Sequence, residues 1–98
     1  MMRYYVKIHR SSENCVVSIC DEDVLGYSYE GRDLFFEVNE DFYKGDLVTE
    51  DVVLNFLEGS NNLNLVGNRI IELSLRKGFI DEDCVRIIGD VKHALRVL

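Results

Sequence analysis

Apolar and polar residues alternate along RYYVKIH and again along NCVVSIC, with the polar link RSSE between them, so residues 3 to 9 and 14 to 20 predict a β-hairpin. A four-residue link pairs residue 8 with 15, 6 with 17 and 4 with 19. That register sets Tyr4, Val6, Ile8, Cys15, Val17 and Ile19 on one face, the expected core face. The other face carries Arg3, Tyr5, Lys7 and His9 against Asn14, Val16, Ser18 and Cys20, a mixed polar surface of the kind an antiparallel sheet turns to water. After Gly31, the alternate positions Leu34, Phe36 and Val38 predict a third strand over 33–39. The runs at 85–88 and 93–97 predict the end of the sheet, with a helical turn as the alternative for the last residues.

Between these strands the period changes. Val52, Val53, Phe56 and Leu57 fall on one side of a helix over 50–58, with Thr49 as N-cap and Gly59 as its stop. Ile70, Ile71, Leu73 and Leu75 make a wide apolar face on a second helix over 67–77, ended by Gly78. The stretch NNLNLVGNR between them reads first as a helix-to-helix connection, Gly67 giving backbone freedom and Asn68 capping the next helix. An anion held at that helix start is the competing reading. DEDV, TEDV and DEDC, at 21–24, 49–52 and 81–84, each place acids where a helix N-terminus favours them and mark three helix starts. The expected fold is a two-layer α+β arrangement, a mainly antiparallel sheet with two principal helices on one face, in a single domain spanning 1–98.

Charge narrows the range of partners. The chain carries a net −7, of which residues 1–60 contribute −8 and residues 61–98 contribute +1. Broad, non-specific nucleic-acid binding is disfavoured, because an acidic chain is repelled by a polyanion. A local RNA contact through Arg69, Arg76, Lys77, Arg86, Lys92 and Arg96 stays open, as does the question whether those cations share one face. No apolar run reaches the length of a membrane span, and MMRYYVKIHR lacks the apolar core of a secretory signal, so the expected compartment is the cytoplasm. The paired aromatics between Tyr27 and Tyr43 lie among carboxylates, which suits a core or a protein interface better than base stacking.

Candidate chemistry is sparse. The acidic triplets lack the alternate-position oxygens, bend glycine and distal glutamate of a calcium loop. Cys15 and Cys20, five apart on one strand, place their Cα atoms about 16 to 17 Å apart at ~3.3 Å per residue, and no C-x-x-C or H-E-x-x-H occurs. Neither a metal nor a cofactor is expected, and three cysteines without framework spacing read as reduced structural thiols. No phosphate-loop motif contains Gly67.

The order of motifs is more telling. YVKIH, VVSICDEDVLG, LFFEVNEDFYKGDLV, NLNLVGNRIIELSLRKGFID and RIIGDVKHA together resemble a small archaeal domain family of unknown function, generally a stand-alone protein of about a hundred residues. FYKG, NLVG and the spacing of Ile88, Gly89, His93 and Ala94 are its most specific pieces. Asn68 and Lys92 stand where that family usually has a glutamate and a proline. The resemblance implies a compact α+β fold in an archaeal cytoplasm, with a suspected connection to translation or RNA metabolism. Two functions are weighed. The first is a non-catalytic adaptor whose acidic, aromatic first half meets a protein with a basic surface. The second is a small-ligand or RNA-associated site built from Tyr43, Asn64, Gly67, Asn68, Arg69, Lys92 and His93, with His93 as acid or base.

Overall fold

The computed structural model describes residues 2–98. Its main sheet has six strands in the order β5-β1-β2-β6-β8-β7. These are β1 (Arg3–Arg10), β2 (Cys15–Asp21), β5 (Asp46–Thr49), β6 (Asn62–Val66), β7 (Val85–Ile88) and β8 (Val91–Val97). β2 and β6 run parallel and the other neighbours antiparallel. A second, two-stranded sheet pairs β3 (Ser28–Glu30) with β4 (Phe35–Glu37). The helices are α1 (Glu40–Tyr43), α2 (Glu50–Gly59) and α3 (Asn68–Arg76), and 3-10 turns occupy Glu22–Val24 and Glu82–Cys84. The α+β class, the mainly antiparallel sheet and the two principal helices agree with the sequence reading. All three acidic tetrapeptides begin helical turns, although none makes a side-chain cap to its own helix.

α2 and α3 cover one face of the sheet. Val53 and Leu57 of α2 and Ile70, Ile71 and Leu73 of α3 pack with Tyr4, Val6, Val17, Ile19, Leu63 and Leu65 into one apolar cluster. Val52, placed on the same helix face by the sequence pattern, is exposed instead. The hairpin register is Tyr4↔Asp21, Val6↔Ile19 and Ile8↔Val17, two residues away from the expected pairing. Residues 11–14 form the turn, closed by Ser11 N–H to the Asn14 carbonyl and Asn14 N–H to Ser11 Oγ. An even slip preserves the faces, so the expected core face stands except at its end, where Ile8 and Cys15 are exposed.

The opposite face departs from expectation. It is not a solvated surface at its centre: Ser18 and Cys20 are fully buried. Cys20, Val24, Val38, Tyr43, Val66, Ile88 and Val91 form a second cluster there, with Tyr29, Phe36 and Phe42 packed against it. The expected strand at 33–39 contributes only β4, in the small sheet that helps to cover this face. Burial pushes the Cys20 thiol up to about 12, with the Asp21 carboxylate adding to the shift, so Cys20 is a protonated packing group.

The largest revision concerns residues 61–66. The expected helix-to-helix connection is the internal strand β6, with Leu63 and Leu65 on the helix side and Asn64 and Val66 on the other. Asn is depleted in strands, and that depletion masked a period-2 alternation. β5 is a further strand with no counterpart among those the apolar pattern predicts. Its entry depends on Gly45, where an added Cβ would lie 2.0 Å from the Val6 carbonyl oxygen.

The chain between β2 and β6 therefore surrounds the β1–β2 hairpin. The small sheet and α1 pass over one face, β5 runs along the free edge of β1, α2 crosses the other face, and β6 closes on β2. We predict that Gly45→Ala lowers stability by about 3 kcal/mol, because backbone faces the new methyl. Gly59→Ala, with open space around it at the end of α2, is expected to change stability by less than about 1 kcal/mol and in the favourable direction. Urea unfolding of the two variants checks both.

Candidate functional site

NLVG closes β6 and opens α3, and its glycine does admit an anion. That anion is the chain's own Asp21, at the end of β2. Asp21 Oδ2 accepts from the N–H of Arg69 at 2.9 Å and Oδ1 from the N–H of Ile70 at 2.9 Å. Gly67 has φ +124, and a Cβ there would sit 2.4 Å from the Asp21 carboxyl. Burial raises the Asp21 carboxyl to about 6, while the two backbone donors pull the other way. At neutral pH the group is ionised and caps the positive end of α3. The expected cap, Asn68, is instead the first residue of the helix; its side chain accepts from Lys92 N–H at 3.0 Å and donates to the Asp90 carbonyl at 3.1 Å. Gly67 N–H donates to the Lys92 carbonyl at 2.9 Å, which fixes NLVG against β8.

The three motif segments meet on the second face of the sheet. Tyr43, from FYKG, donates its hydroxyl to Asn64 Oδ1 at 2.7 Å, and His93 Nε2 lies 3.0 Å from the same oxygen. An amide oxygen only accepts, so this arrangement assigns the imidazole hydrogen to Nε2. The Phe36 ring lies over the pair, 5.0 Å from His93 and 6.3 Å from Tyr43 between centroids. Burial, with the charge of Arg86 adding to it, lowers the His93 pKa below 6.5, and burial raises the Tyr43 hydroxyl. Both groups are therefore neutral near pH 7. They are arranged to donate two hydrogen bonds to one acceptor.

Family-model comparison covers residues 9–97 and matches a protein family of unknown function, DUF424. The chain belongs to that family. A crystal structure of an uncharacterized conserved protein from Methanopyrus kandleri is similar in fold: TM-score 0.73 at 22% identity, over 95% of this chain and 89% of that one. No curated protein matches the chain. The expected membership in a family of unknown function is thus shown by the family model, and the likeness to the Methanopyrus kandleri protein shows the fold.

The glycine of each of the three segments marks a close approach of backbone or side chain. Gly45 of FYKG meets the backbone of β1, Gly67 of NLVG meets Asp21, and Gly89, at φ +61, leaves room for the Glu30 carbonyl oxygen, 2.6 Å from a notional Cβ. Of the seven candidate site residues, Tyr43, Asn64 and His93 converge. Gly67, Asn68 and the Lys92 backbone form the neighbouring junction between β6, α3 and β8. The Arg69 side chain extends to Asp23 at 4.0 Å, an exposed pair. Lys92 alternates with His93 along β8 and so lies on the other sheet face.

The six C-terminal cations do not form one face. Arg86 pairs with His93 across β7–β8, whereas Lys92 lies in the row of Ile87 on the opposite side. Arg76 is 3.9 Å from Glu72, and Arg96 donates to the carbonyls of Phe79 and Ser60.

Sequence reasoning missed three side chains. Asp21 stands in the sequence only as an acid at the start of its own turn, yet it caps α3. His9 and Ser18 were assigned to a solvent face, yet His9 Nε2 donates to the Phe42 carbonyl at 2.9 Å and Ser18 Oγ to the same oxygen at 3.0 Å. With Lys7 donating to the Asp41 carbonyl, these bonds hold the last carbonyls of α1 against β1 and β2. The available signal was the short Ser18 side chain at mid-strand opposite Lys7.

Among the described residues, no three His, Cys, Asp or Glu side chains cluster as metal ligands, and no helix is long and apolar enough to cross a membrane.

Tyr43→Phe is expected to cost about 1 kcal/mol, and Asn64→Leu about 2 to 4 kcal/mol because it orphans two buried donors. Equilibrium unfolding in denaturant tests that order. Folding lowers the pKa of His93, so the unfolded chain takes up this proton first; the stabilising contribution is full above about pH 6.5 and falls as pH drops below it. The stability advantage of the protein over its His93→Gln variant should therefore be larger at pH 8 than at pH 5.5, and an advantage that grows with acid would contradict this assignment. For Asp21→Ala, hydrogen exchange should accelerate at the Arg69 and Ile70 amides, with a loss of about 1 to 2 kcal/mol.

Proposed function

We propose that the protein is a non-catalytic adaptor that binds a partner with a basic surface through the outer side of β3–β4 and the adjoining α1. The observation that carries this reading is the grouping of exposed large apolar side chains with carboxylates. Tyr27 is 63% exposed, Leu34 45% and Phe35 66%. Glu30, Asp33, Glu37, Glu40 and Asp41, all exposed, stand in the same segment, against the exposed cations Arg32 and Lys44. In β3–β4 the inward positions Tyr29 and Phe36 serve the second cluster, which leaves Phe35 opposite Glu30 and Glu37 opposite Ser28 on the outer side. Exposed aromatic side chains supply the desolvated contacts of an interface, and surrounding carboxylates steer a cationic partner by long-range attraction.

The burial of Tyr43 and His93 around Asn64 supports the adaptor reading over the ligand-site reading: Tyr43 is 3% exposed and His93 7%, and both spend their polar atoms on Asn64 Oδ1. Basic components of translation or RNA metabolism are the partner class to test first, on the strength of the motif resemblance. Affinity capture from an archaeal lysate is expected to retain a basic protein at 50 mM salt and release it at 500 mM. The double variant Tyr27→Ser, Phe35→Ser, folded by circular dichroism, should lose that protein at low salt. Equal capture by the variant, or no salt-sensitive partner, overturns the proposal.

A further inference from the structure

We infer that the docking surface recognises its partner as a β-strand, taken up along the free edge of β4, and that the segment bound is extended, with basic residues alternating with β-branched apolar ones. The inference rests on the adaptor reading and adds the form of the partner.

Gly31 N–H donates to the Leu34 carbonyl at 2.8 Å and Val38 N–H to the Tyr27 carbonyl at 2.9 Å. In an antiparallel pair, residues that exchange such bonds alternate with residues whose N–H and C=O point outward. With Tyr29 opposite Phe36, the outward-pointing positions on β4 are Phe35 and Glu37. No partner among the described residues accepts from either N–H, and β4 has no second neighbouring strand. On the β3 side the edge is occupied, because the Glu30 carbonyl and Gly31 abut Gly89 in the β7–β8 turn. The edge of β4 is thus the side of this sheet with backbone groups left to pair.

Side chains select what can pair there. Phe35 and Glu37 both project outward, and Phe36 between them points in toward Tyr43 and His93. An added strand would present alternate side chains to the same two sides. On the outer side a guanidinium fits both neighbours, stacking on the Phe35 ring and pairing with the Glu37 carboxylate. On the inner side a β-branched residue would extend the apolar layer beside Phe36. The edge of the main sheet at β7 lacks this complementarity, since its exposed side chains are Arg86 and Ile87.

The probe is an eight-residue peptide of alternating arginine and valine, with a scrambled peptide of the same composition as control. Binding of the alternating peptide at low salt should slow amide exchange at Phe35 and Glu37 and leave that of Phe36, already paired, unchanged. Proline on an edge strand is tolerated where its nitrogen faces solvent, so Glu37→Pro removes one outward donor. It is expected to weaken binding about tenfold more than Glu37→Gln, which loses the charge and keeps the N–H. Unchanged exchange at Phe35 and Glu37, protection at Ile87 instead, or equal affinity for the scrambled peptide would overturn strand addition while leaving a Phe35-dependent adaptor intact. Failure of the chain to bind either peptide at low salt would overturn strand addition; the lysate capture alone then decides the adaptor reading.

Discussion

A carboxylate on β2 caps the start of a helix half the chain later, and much of the packing follows from that contact. Asp21 is 3% exposed, and an isolated charge so placed would be strongly unfavourable. It is sustained because each oxygen accepts a backbone N–H at the positive end of α3. The approach leaves no room for a side chain on residue 67, which is why glycine stands there at a positive φ. Once Gly67 turns the chain, its own N–H is fixed to β8 through the Lys92 carbonyl, and Asn68 joins the backbone on both sides of Val91. One ionised group thereby sets the relative positions of β2, β6, α3 and β8.

The second face is organised by hydrogen-bonded polar side chains. His9, Ser18, Tyr43, Asn64 and His93 bond to one another or to the carbonyls of α1. Such bonds add little net stability individually, yet leaving one donor without its acceptor is expensive, so a network of this kind selects a single packing of α1 on the sheet. A short helix with four residues has little stability of its own. Its position, and with it that of Phe36 and the small sheet, depends on these partners.

Much of this was legible in the sequence where one periodicity dominated. The hairpin faces, α2, α3 and the C-terminal strands follow from apolar spacing, and the register error of two residues did no harm because an even slip keeps each side chain on its side. The failures have a common physical origin. Asn62 and Asn64 alternate with Leu63 and Leu65, but the pattern was overruled by the low strand propensity of asparagine, which loses its force where the side chain finds partners inside the fold. Ser18 and Cys20 looked solvent-facing because a one-sided sheet was assumed; a covering layer from residues 22–43 lay outside any local signal. The three motif segments were grouped by resemblance, and their meeting at Asn64 is a tertiary fact. Asp21 could not have been found from spacing, since the helix it caps is remote in sequence.

The path of the chain around the β1–β2 hairpin bears on how the protein acquires its structure. A segment that passes over one face, along an edge, back across the other face and into the opposite edge has nothing to wind around until the hairpin exists. Local strand pairing through a short turn forms quickly, whereas the parallel seam between β2 and β6 requires closure of a loop that contains the small sheet and two helices. Loop-closure cost therefore predicts assembly from the inside outward, with the hairpin as template and the β2–β6 seam forming later. An interruption of synthesis before residue 62 would leave β2 with an open edge, the arrangement most prone to pairing with the wrong chain.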